Sequence, residues 1–251
     1  MNKAIDSSRK TEIPEGPVPG DLLSMDFDER ELEGYLGEDM PNPLILLPPP
    51  PEEGSPGWEL DMKLSDAYLQ VGDARKELAT RDAILRFPFA ADAFNQVLNG
   101  IIHRETTPVL YRILARTRID GGLSTGSAKR FYRRPRPFMV NHQPSLTPWD
   151  EEILRLDGSY PSGHTAIGWI WALILTDLFP ALSSGILERG LEFGISRNIC
   201  NVHWHSDVVA GRRCGAAVTD SLYKCSGFIR DLSVARKELT RAGLIDRISA
   251  A

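Results

Sequence analysis

Beyond Asp61 the hydrophobic residues recur every three or four positions, which is the spacing of one face of a helix. This pattern predicts helical segments near residues 61–80, 91–103, 106–117, 122–132, 162–180, 183–200 and 205–227. Runs with strand-like alternation are few and short. Residues that start or break helices stand between the segments, with Pro108 near one start and Gly121-Gly122 between two helices. The sequence therefore predicts an all-α protein with one helical domain over residues 61–251.

The first 60 residues follow a different pattern, because they are polar or rich in proline. Residues 1–20 are polar and interrupted by glycine and proline, which predicts a disordered segment. Residues 21–60 form an acidic arm that we expect to pack on the body, and seven prolines lie between Met40 and Trp58. We expect an extended conformation there, because proline lacks an N–H group. The Leu47–Pro51 part of the arm is expected to border a cleft.

The charge is distributed unevenly along the chain. The net charge is −5, from 29 Lys and Arg against 34 Asp and Glu. Residues 1–60 hold 14 acidic and 4 basic residues, a net of −10, whereas residues 61–251 hold 20 acidic and 25 basic residues, a net of +5. An acidic chain argues against a dedicated nucleic-acid-binding protein. The basic body is where we expect an anionic ligand.

Two further observations limit the class of protein. No stretch reaches the length of a membrane-spanning helix, and the start lacks the apolar core of a secretory signal. The three cysteines, Cys200, Cys214 and Cys225, allow at most one internal disulfide and match no common zinc pattern. We interpret them as structural residues.

The first candidate for chemistry is a basic run, because five of the eight residues from Lys129 to Arg136 are basic. Alone, such a run is typical of a solvated helix end or a nuclear-localisation-like patch. Lys129 and Arg136 lie seven positions apart, so on a continuous helix both would point to the same side. Two cations at one point would suit a phosphate, which arginine can bind through two parallel N–H bonds.

The second candidate is the string GSYPSGHT at residues 158–165, directly before an apolar run. Ser162 after Pro161 is typical of a helix N-cap. The N–H groups of Ser162, Gly163 and His164 would then be free at a helix N-terminus, where anions bind. Gly163 would let an anion approach closely. The alternative is a capped buried helix with an incidental histidine.

The third candidate is the pair His203 and Asp207. On a helix these residues would lie one turn apart on the same face. A carboxylate bonded to one ring nitrogen fixes the imidazole tautomer and leaves the other nitrogen free to attack. Arg197 would supply a further cation. His205 would project to a different side, and we interpret it as a surface or packing residue.

In chain order the three candidates form the signature Lys-x6-Arg-Pro, Pro-Ser-Gly-His and Ser-Arg-x5-His-x3-Asp. This signature resembles that of the type 2 phosphatidic-acid phosphatase superfamily, which includes vanadium-dependent haloperoxidases. The matching residues are Lys129, Arg136, Pro137, Pro161, Ser162, Gly163, His164, Ser196, Arg197, His203 and Asp207. Residues 42–225 are more specifically similar to the bacterial class A non-specific acid phosphatases. Two positions depart from that family, with Asn201 where many members have glycine and His205 where glutamine is common.

The resemblance implies a helical bundle of the acid phosphatase and vanadium haloperoxidase type that hydrolyses phosphate monoesters through a phosphohistidine. His203 would be the nucleophile, Asp207 its orienting carboxylate, and His164 the general acid and base. The residues that would hold the phosphate are Lys129, Arg136, Ser162, Gly163 and Arg197. The resemblance implies no metal or other cofactor, transfer of phosphate to alcohols as a side activity, a homo-oligomer, and a periplasmic or secreted location. Because the sequence has no secretory signal, a cytosolic location is the alternative.

Three other functions compete with this one. A vanadium-dependent haloperoxidase would hold vanadate in the same pocket with His203 bound to vanadium, but such enzymes are usually much longer. A lipid phosphatase would be expected to carry membrane spans. A non-catalytic protein that binds phosphate or nucleic acid could use the basic run, but it would need neither His164 nor the pair of His203 and Asp207. We therefore expect small phosphate monoesters as partners, rather than nucleic acid or a membrane.

Overall fold

Residues 32–244 are described by a computed structural model, and within this range the chain forms helices and no strand. The prediction of an all-α protein is confirmed. The predicted disordered segment 1–20 and the beginning of the acidic arm lie outside the described residues, as does the C-terminal stretch 245–251.

Twelve α-helices follow one another within the described range. They are α1 (Pro43–Leu46), α2 (Pro56–Leu69), α3 (Asp73–Asp82), α4 (Phe89–Leu98), α5 (Pro108–Leu123), α6 (Gly126–Tyr132), α7 (Pro137–Val140), α8 (Glu151–Leu156), α9 (Gly163–Leu178), α10 (Ser183–Ile199), α11 (His205–Leu222) and α12 (Ser226–Arg241). Single 3₁₀ turns at Gly37–Asp39, Pro148–Asp150 and Pro180–Leu182 accompany them.

Helix α9 lies at the centre of the bundle because its residues are apolar on most sides. It packs against α5, α10 and α11, and Ile170, Trp171 and Ile174 are fully buried. The indole N–H of Trp171 donates to the carbonyl of Leu114 on α5 at 3.0 Å, so its polar atom is paired as well. Packing on three sides fixes the N-terminus of α9 relative to α10 and α11.

Helices α9 and α11 are in direct backbone contact where α11 carries glycine. A Cβ atom at Gly211 would lie 2.4 Å from the carbonyl oxygen of Ser162, and a Cβ atom at Gly215 would lie 2.7 Å from that of Ala166. Neither carbonyl can move without shifting the backbone of α9. The two glycines therefore set the distance between the helices that carry the second and third parts of the signature.

The described part of the proline-rich arm follows the surface of the body. The backbone N–H groups of Tyr35 and Leu36 donate to the buried carboxylate of Asp120 on α5. The hydroxyl of Tyr160 donates to the carbonyl of Pro48 at 2.8 Å. This contact holds the arm next to the segment that leads into α9.

The expectation of a wholly extended proline-rich segment is wrong in two places. Helix α1 follows the N-cap Asn42, and α2 begins at Pro56 after the N-cap Ser55. Both helices have proline at the first position, where the N–H group would have no helical partner in any case. Proline therefore starts these helices rather than preventing them.

Helix boundaries also differ from the sequence prediction. The predicted segment 61–80 is divided between α2 and α3, and α12 has no counterpart among the predicted segments. Gly121 and Gly122 lie inside α5 rather than between helices. A Cβ atom at Gly121 would lie 2.7 Å from the side chain of Ile167 on α9. Packing against α9 thus favours a helical glycine here despite its low intrinsic helix propensity.

The contact between α9 and α11 yields a stability prediction. Gly215→Ala should lower the free energy of unfolding by about 1–3 kcal/mol, because the new methyl group overlaps a backbone carbonyl. Thermal or urea unfolding measures the change. Gly122→Ala is the matched control, since no atom lies within 4 Å of its Cβ position, and it should leave stability unchanged or slightly raised. Equal losses in the two variants would contradict the packing argument.

Candidate active site

Ser162 caps the N-terminus of α9, as the sequence predicts. Its hydroxyl oxygen accepts from the N–H of Thr165 at 3.3 Å and from the hydroxyl of Thr165 at 2.9 Å. Its own N–H donates to the carbonyl of Asp207 at 3.0 Å, so this N–H is not free, contrary to expectation. A Cβ atom at Gly163 would lie 3.3 Å from the hydroxyl of Thr125. The residues of the second candidate thus adjoin α11 and the start of α6.

His203 and Asp207 are in contact, although not on a common helix. His203 lies in the turn before α11, and Asp207 lies in the first turn of α11. The Nδ1 atom of His203 is 3.3 Å from Oδ2 of Asp207, which also accepts from the N–H of Trp204 at 2.9 Å. The side chain of Asn198 donates to the carbonyl of His203 at 2.8 Å. Buried hydrogen bonds therefore fix both the imidazole ring and the backbone carbonyl of His203.

The hydrogen bonds determine which ring nitrogen of His203 carries the proton. Asp207 can only accept at Nδ1, whereas the guanidinium of Arg136 can only donate at Nε2, 3.2 Å away. The neutral ring therefore carries its proton on Nδ1 and has a lone pair on Nε2. Burial, reinforced by Arg136 and Lys129, holds the pKa of His203 well below its usual range. Burial therefore favours the neutral form of this imidazole.

Lys129 and Arg136 converge on the loop before α9. The ammonium group of Lys129 donates to Asp157 at 2.6 Å and to the carbonyl of Gly158 at 2.8 Å. Arg136 donates to the same carboxylate at 3.3 Å and to the carbonyl of Val202 at 2.9 Å. Burial, followed by the charge of Arg136, lowers the pKa of Lys129 to about 8. Burial likewise lowers the pKa of Arg136 to about 10.

Lys129 and Arg136 do not lie on one continuous helix, so the prediction that helical spacing brings them together is wrong. Helix α6 ends at Tyr132, and Arg133 has a left-handed conformation with φ of 44°. Pro135 and Pro137 then prevent the helix from continuing. The chain leaves the helix at Arg133, and the two cations meet because of this turn rather than because of helical spacing.

Arg197 is a buried cation with unused donors. It lies in the last turn of α10 and is 1% exposed. Among the described residues, its Nε and Nη1 atoms have no hydrogen-bond partner. A buried guanidinium with free N–H groups is unfavourable unless an anion occupies the site. Its neighbour Ser196 donates to the buried carboxylate of Asp82 at 2.6 Å, which anchors this end of α10.

His164 lies in the first turn of α9 and is partly buried. Its Nε2 atom is 3.0 Å from the carbonyl of Ala83. Because a carbonyl only accepts, Nε2 carries a proton, and Nδ1 is the nitrogen that gains or loses one. Burial, followed by the charge of Arg197, holds the pKa of His164 well below its usual range. His203 and Lys129 also act on this pKa, so the two histidines share one electrostatic environment.

Three residues near the site are missed by the sequence prediction. Asp157 bridges Lys129 and Arg136. Arg134 donates to Asp207 at 2.6 Å, and Asp61 accepts from Arg134 at 2.8 Å. Arg134 belongs to the basic run, which marks its residue type but gives it no role. No local pattern in the sequence distinguishes Asp61 or Asp157 from other acidic residues, because their partners are distant in the sequence.

The structure explains how the two departures from the family pattern are accommodated. Asn201 has φ of 61°, a conformation that favours glycine and that asparagine tolerates best among other residues. Its amide pairs reciprocally with that of Asn141, at 2.8 and 3.2 Å. His205 stacks on Tyr68, whose hydroxyl lies 3.2 Å from Nδ1. Both residues therefore pack against neighbouring segments.

Comparisons with known proteins show the family of the chain. Residues 110–231 match the PAP2 superfamily. The non-specific acid phosphatase of Salmonella typhimurium is 38% identical over 204 residues, which cover 80% of this chain and 82% of that protein. The chain belongs to the PAP2 superfamily, among the non-specific acid phosphatases. The acid phosphatase of Zymomonas mobilis is 39% identical over 80% of this chain and 76% of its own length. The non-specific acid phosphatase of Providencia stuartii is 38% identical over 79% and 81%.

Residues 32–244 contain neither a membrane span nor a cluster of metal-binding side chains. None of the helices in this range is long and apolar enough to cross a membrane. The same range contains no group of three or more His, Cys, Asp or Glu side chains arranged to hold a metal ion. Cys200, Cys214 and Cys225 are all free thiols.

The lowered pKa of Lys129 yields a prediction for anion binding. Lys129 loses its charge as the pH rises through about 8, so inorganic phosphate should bind more weakly above that pH. Calorimetric titration with phosphate at about pH 7 and pH 9 measures this loss. In Lys129→Arg the loss should be smaller, because a guanidinium keeps its charge. Lys224→Arg, at an exposed lysine, is the control and should retain the wild-type pH dependence. An unchanged affinity across this range in the wild type would contradict the prediction.

Proposed function

We propose that this chain hydrolyses phosphate monoesters through a covalent phosphohistidine at Nε2 of His203. The observation that carries the proposal is the arrangement around that atom. Asp207 holds the proton on the opposite ring nitrogen, and Nε2 faces the guanidinium of Arg136. Because Arg136 is also proposed to bind a phosphate oxygen, the shift of its N–H from Nε2 to that oxygen would release the lone pair next to phosphorus.

In the first step, the Nε2 lone pair attacks phosphorus as the bond from phosphorus to the leaving oxygen breaks. His164 gives a proton to that oxygen, so an alcohol departs. In the second step, water attacks the phosphoryl group, His164 takes a proton from the water, and the bond to Nε2 breaks. Inorganic phosphate leaves, and His203 regains its lone pair. Another alcohol in place of water would give phosphate transfer instead.

Five residues are proposed to hold the phosphate oxygens: Lys129, Arg136, Ser162, Gly163 and Arg197. The free N–H groups of Arg197 and the buried positions of Lys129 and Arg136 support this role. The hydroxyl of Ser162 already accepts two hydrogen bonds from Thr165, so its own proton is available for donation. The three cations would stabilise charge on the transferring group, a role that magnesium has in other phosphoryl-transfer enzymes.

The mechanism requires His164 to be protonated when the substrate is bound. Burial and the charge of Arg197 hold the pKa of His164 low. A bound phosphate adds negative charge beside these groups, which favours the protonated form. The proton is most readily available at acid pH, where a phosphate ester arrives with His164 already charged. The environment of His164 thus supports activity on the acid side of neutrality.

The protonation states of His164 and Lys129 predict the pH dependence of catalysis. His164 must be protonated and has a lowered pKa, so the active fraction of the enzyme falls as the pH rises. Lys129 also loses its charge as the pH rises above about 8. We therefore expect kcat/KM for p-nitrophenyl phosphate to fall from acid toward alkaline pH. A rate that still climbs above about pH 8 would contradict the assignment. His164→Asn should lose far more activity on an alkyl phosphate than on p-nitrophenyl phosphate, whose leaving group needs no proton.

The nucleophile assignment predicts the behaviour of His203→Ala. Turnover should fall by about 10⁴-fold or more, because no other group can accept the phosphoryl. Inorganic phosphate or vanadate should still bind, since the cations remain. Steady-state assays and calorimetry measure the two properties. His205→Ala, at the neighbouring histidine that stacks on Tyr68, is the matched control. Near-normal turnover in His203→Ala would refute the covalent mechanism.

A panel of substrates tests which leaving groups the enzyme accepts, because the proposed site binds only the phosphate group. Hydrolysis of nucleotides, sugar phosphates, phytate and aryl phosphates is measured without and with EDTA, and EDTA should not change the rate for those that are hydrolysed. Loss of activity in EDTA would overturn the metal-free mechanism. The family relationship supports a periplasmic or secreted location and a homo-oligomer as further parts of the proposal, which cell fractionation and sedimentation would test.

A further inference from the structure

Asp207 has a second partner that is closer than His203. Its Oδ1 atom accepts from Nη1 of Arg134 at 2.6 Å, whereas Oδ2 lies 3.3 Å from the imidazole. The ion pair is buried, because the side chain of Arg134 is 4% exposed and that of Asp207 is 0% exposed. The guanidinium of Arg134 is therefore the main group that balances the negative charge of Asp207, the carboxylate that orients His203.

Arg134 is shared with a second buried carboxylate. Its Nη2 atom donates to Asp61 of α2 at 2.8 Å, and Asp61 is 2% exposed. The hydroxyl of Ser206 accepts from Arg134 at 2.7 Å and donates to Asp61 at 2.5 Å. The backbone N–H of Ser206 also donates to Asp61 at 2.8 Å. One arginine thus connects α2 to the first turn of α11.

Two indole rings enclose this arginine. The guanidinium carbon of Arg134 lies 5.5 Å from the ring centroid of Trp58 and 5.4 Å from that of Trp204. The two rings are 5.1 Å apart and tilted by 46°. Because water is excluded, the charge of Arg134 acts on its neighbours with little screening. The backbone N–H of Trp204 also donates to Asp207.

We propose that Arg134 is a positioning residue whose charge, adjusted by Asp61, sets how strongly His203 holds the transferred phosphoryl group. This inference rests on the phosphohistidine mechanism proposed above. Arg134 withdraws negative charge from Asp207, and Asp61 withdraws positive charge from Arg134. An electron-poor His203 forms a weaker bond to phosphorus and releases the group to water sooner.

The other charged groups around His203 belong to separate elements. Lys129 belongs to α6, Arg136 precedes α7, and Arg197 belongs to α10; all three lower its pKa. His164 on α9 is electrostatically coupled to it. The side-chain hydrogen bonds of Asp61 and Arg134 go to Ser206, to Asp207 and to each other, and to none of these groups. Variants at Asp61 and Arg134 therefore change the charge that acts on Asp207 and leave the proposed phosphate-binding residues unsubstituted.

The test measures the fraction of enzyme trapped as alkali-stable, acid-labile phosphohistidine during turnover of a phosphate ester. Asp61→Asn leaves Arg134 acting on Asp207 alone, so the trapped fraction should fall by about twofold or more. The double variant Asp61→Asn with Arg134→Gln removes the cation, so the fraction should rise by at least a similar factor relative to Asp61→Asn. Changes of opposite sign cannot come from general loosening of the fold.

Two further variants control for stability. Arg134→Lys keeps the charge and should keep the trapped fraction near the wild-type value, even if its melting temperature falls. Asp120→Asn removes a buried carboxylate that binds the N–H groups of Tyr35 and Leu36, and it should not change the trapped fraction. Affinity for inorganic phosphate, which the cations would hold without a bond to His203, should be unchanged in every folded variant.

The outcomes separate the two proposals. No trapped phosphohistidine in the active wild type would refute the covalent mechanism itself. A trapped fraction that is the same in the wild type, Asp61→Asn and the double variant would refute the role of Arg134 and leave the covalent mechanism standing. A wild-type fraction in Arg134→Lys together with opposite shifts in the two charge variants would support the role.

Discussion

Asp207 connects all three parts of the signature through its own hydrogen bonds. One carboxylate oxygen accepts from Arg134 in the basic run, and the other accepts from His203. Its backbone carbonyl accepts from the N–H of Ser162 at the start of α9. Because Asp207 is fully buried in the first turn of α11, the packing of α11 on α9 at Gly211 sets its position. The geometry of the site thus depends on one helix contact.

Burial determines the electrostatics of the site. Lys129, Arg136 and Arg197 are removed from water, yet within the described residues Asp157 is the only carboxylate bonded to any of the three. Such a group of cations is unfavourable when empty and favourable around a dianion. In the proposed mechanism the same burial keeps His203 neutral. One physical cause therefore prepares both the binding site and the nucleophile.

Two pairs of residues meet as the sequence predicts, but the local backbone structure predicted for each pair is wrong. Helical spacing predicts Lys129 and Arg136 on one helix, but the chain turns at Arg133 before it reaches Arg136. The same spacing predicts His203 and Asp207 on one helix, but His203 precedes it. The pairs still meet, because a signature records which residues converge in the folded family and not the backbone that joins them. Helical spacing is the wrong explanation of a correct grouping.

The helical class, the N-cap at Ser162 and the residues of the signature can be predicted from the sequence, because helix periodicity and motif spacing are local properties of the chain. The partners of those residues depend on how the helices pack. Nothing near Asp61 in the sequence indicates that it shares Arg134 with Asp207, since Arg134 lies 73 positions from each carboxylate. Long-range ion pairs form where helices pack together, and the same packing sets their burial and hence their strength.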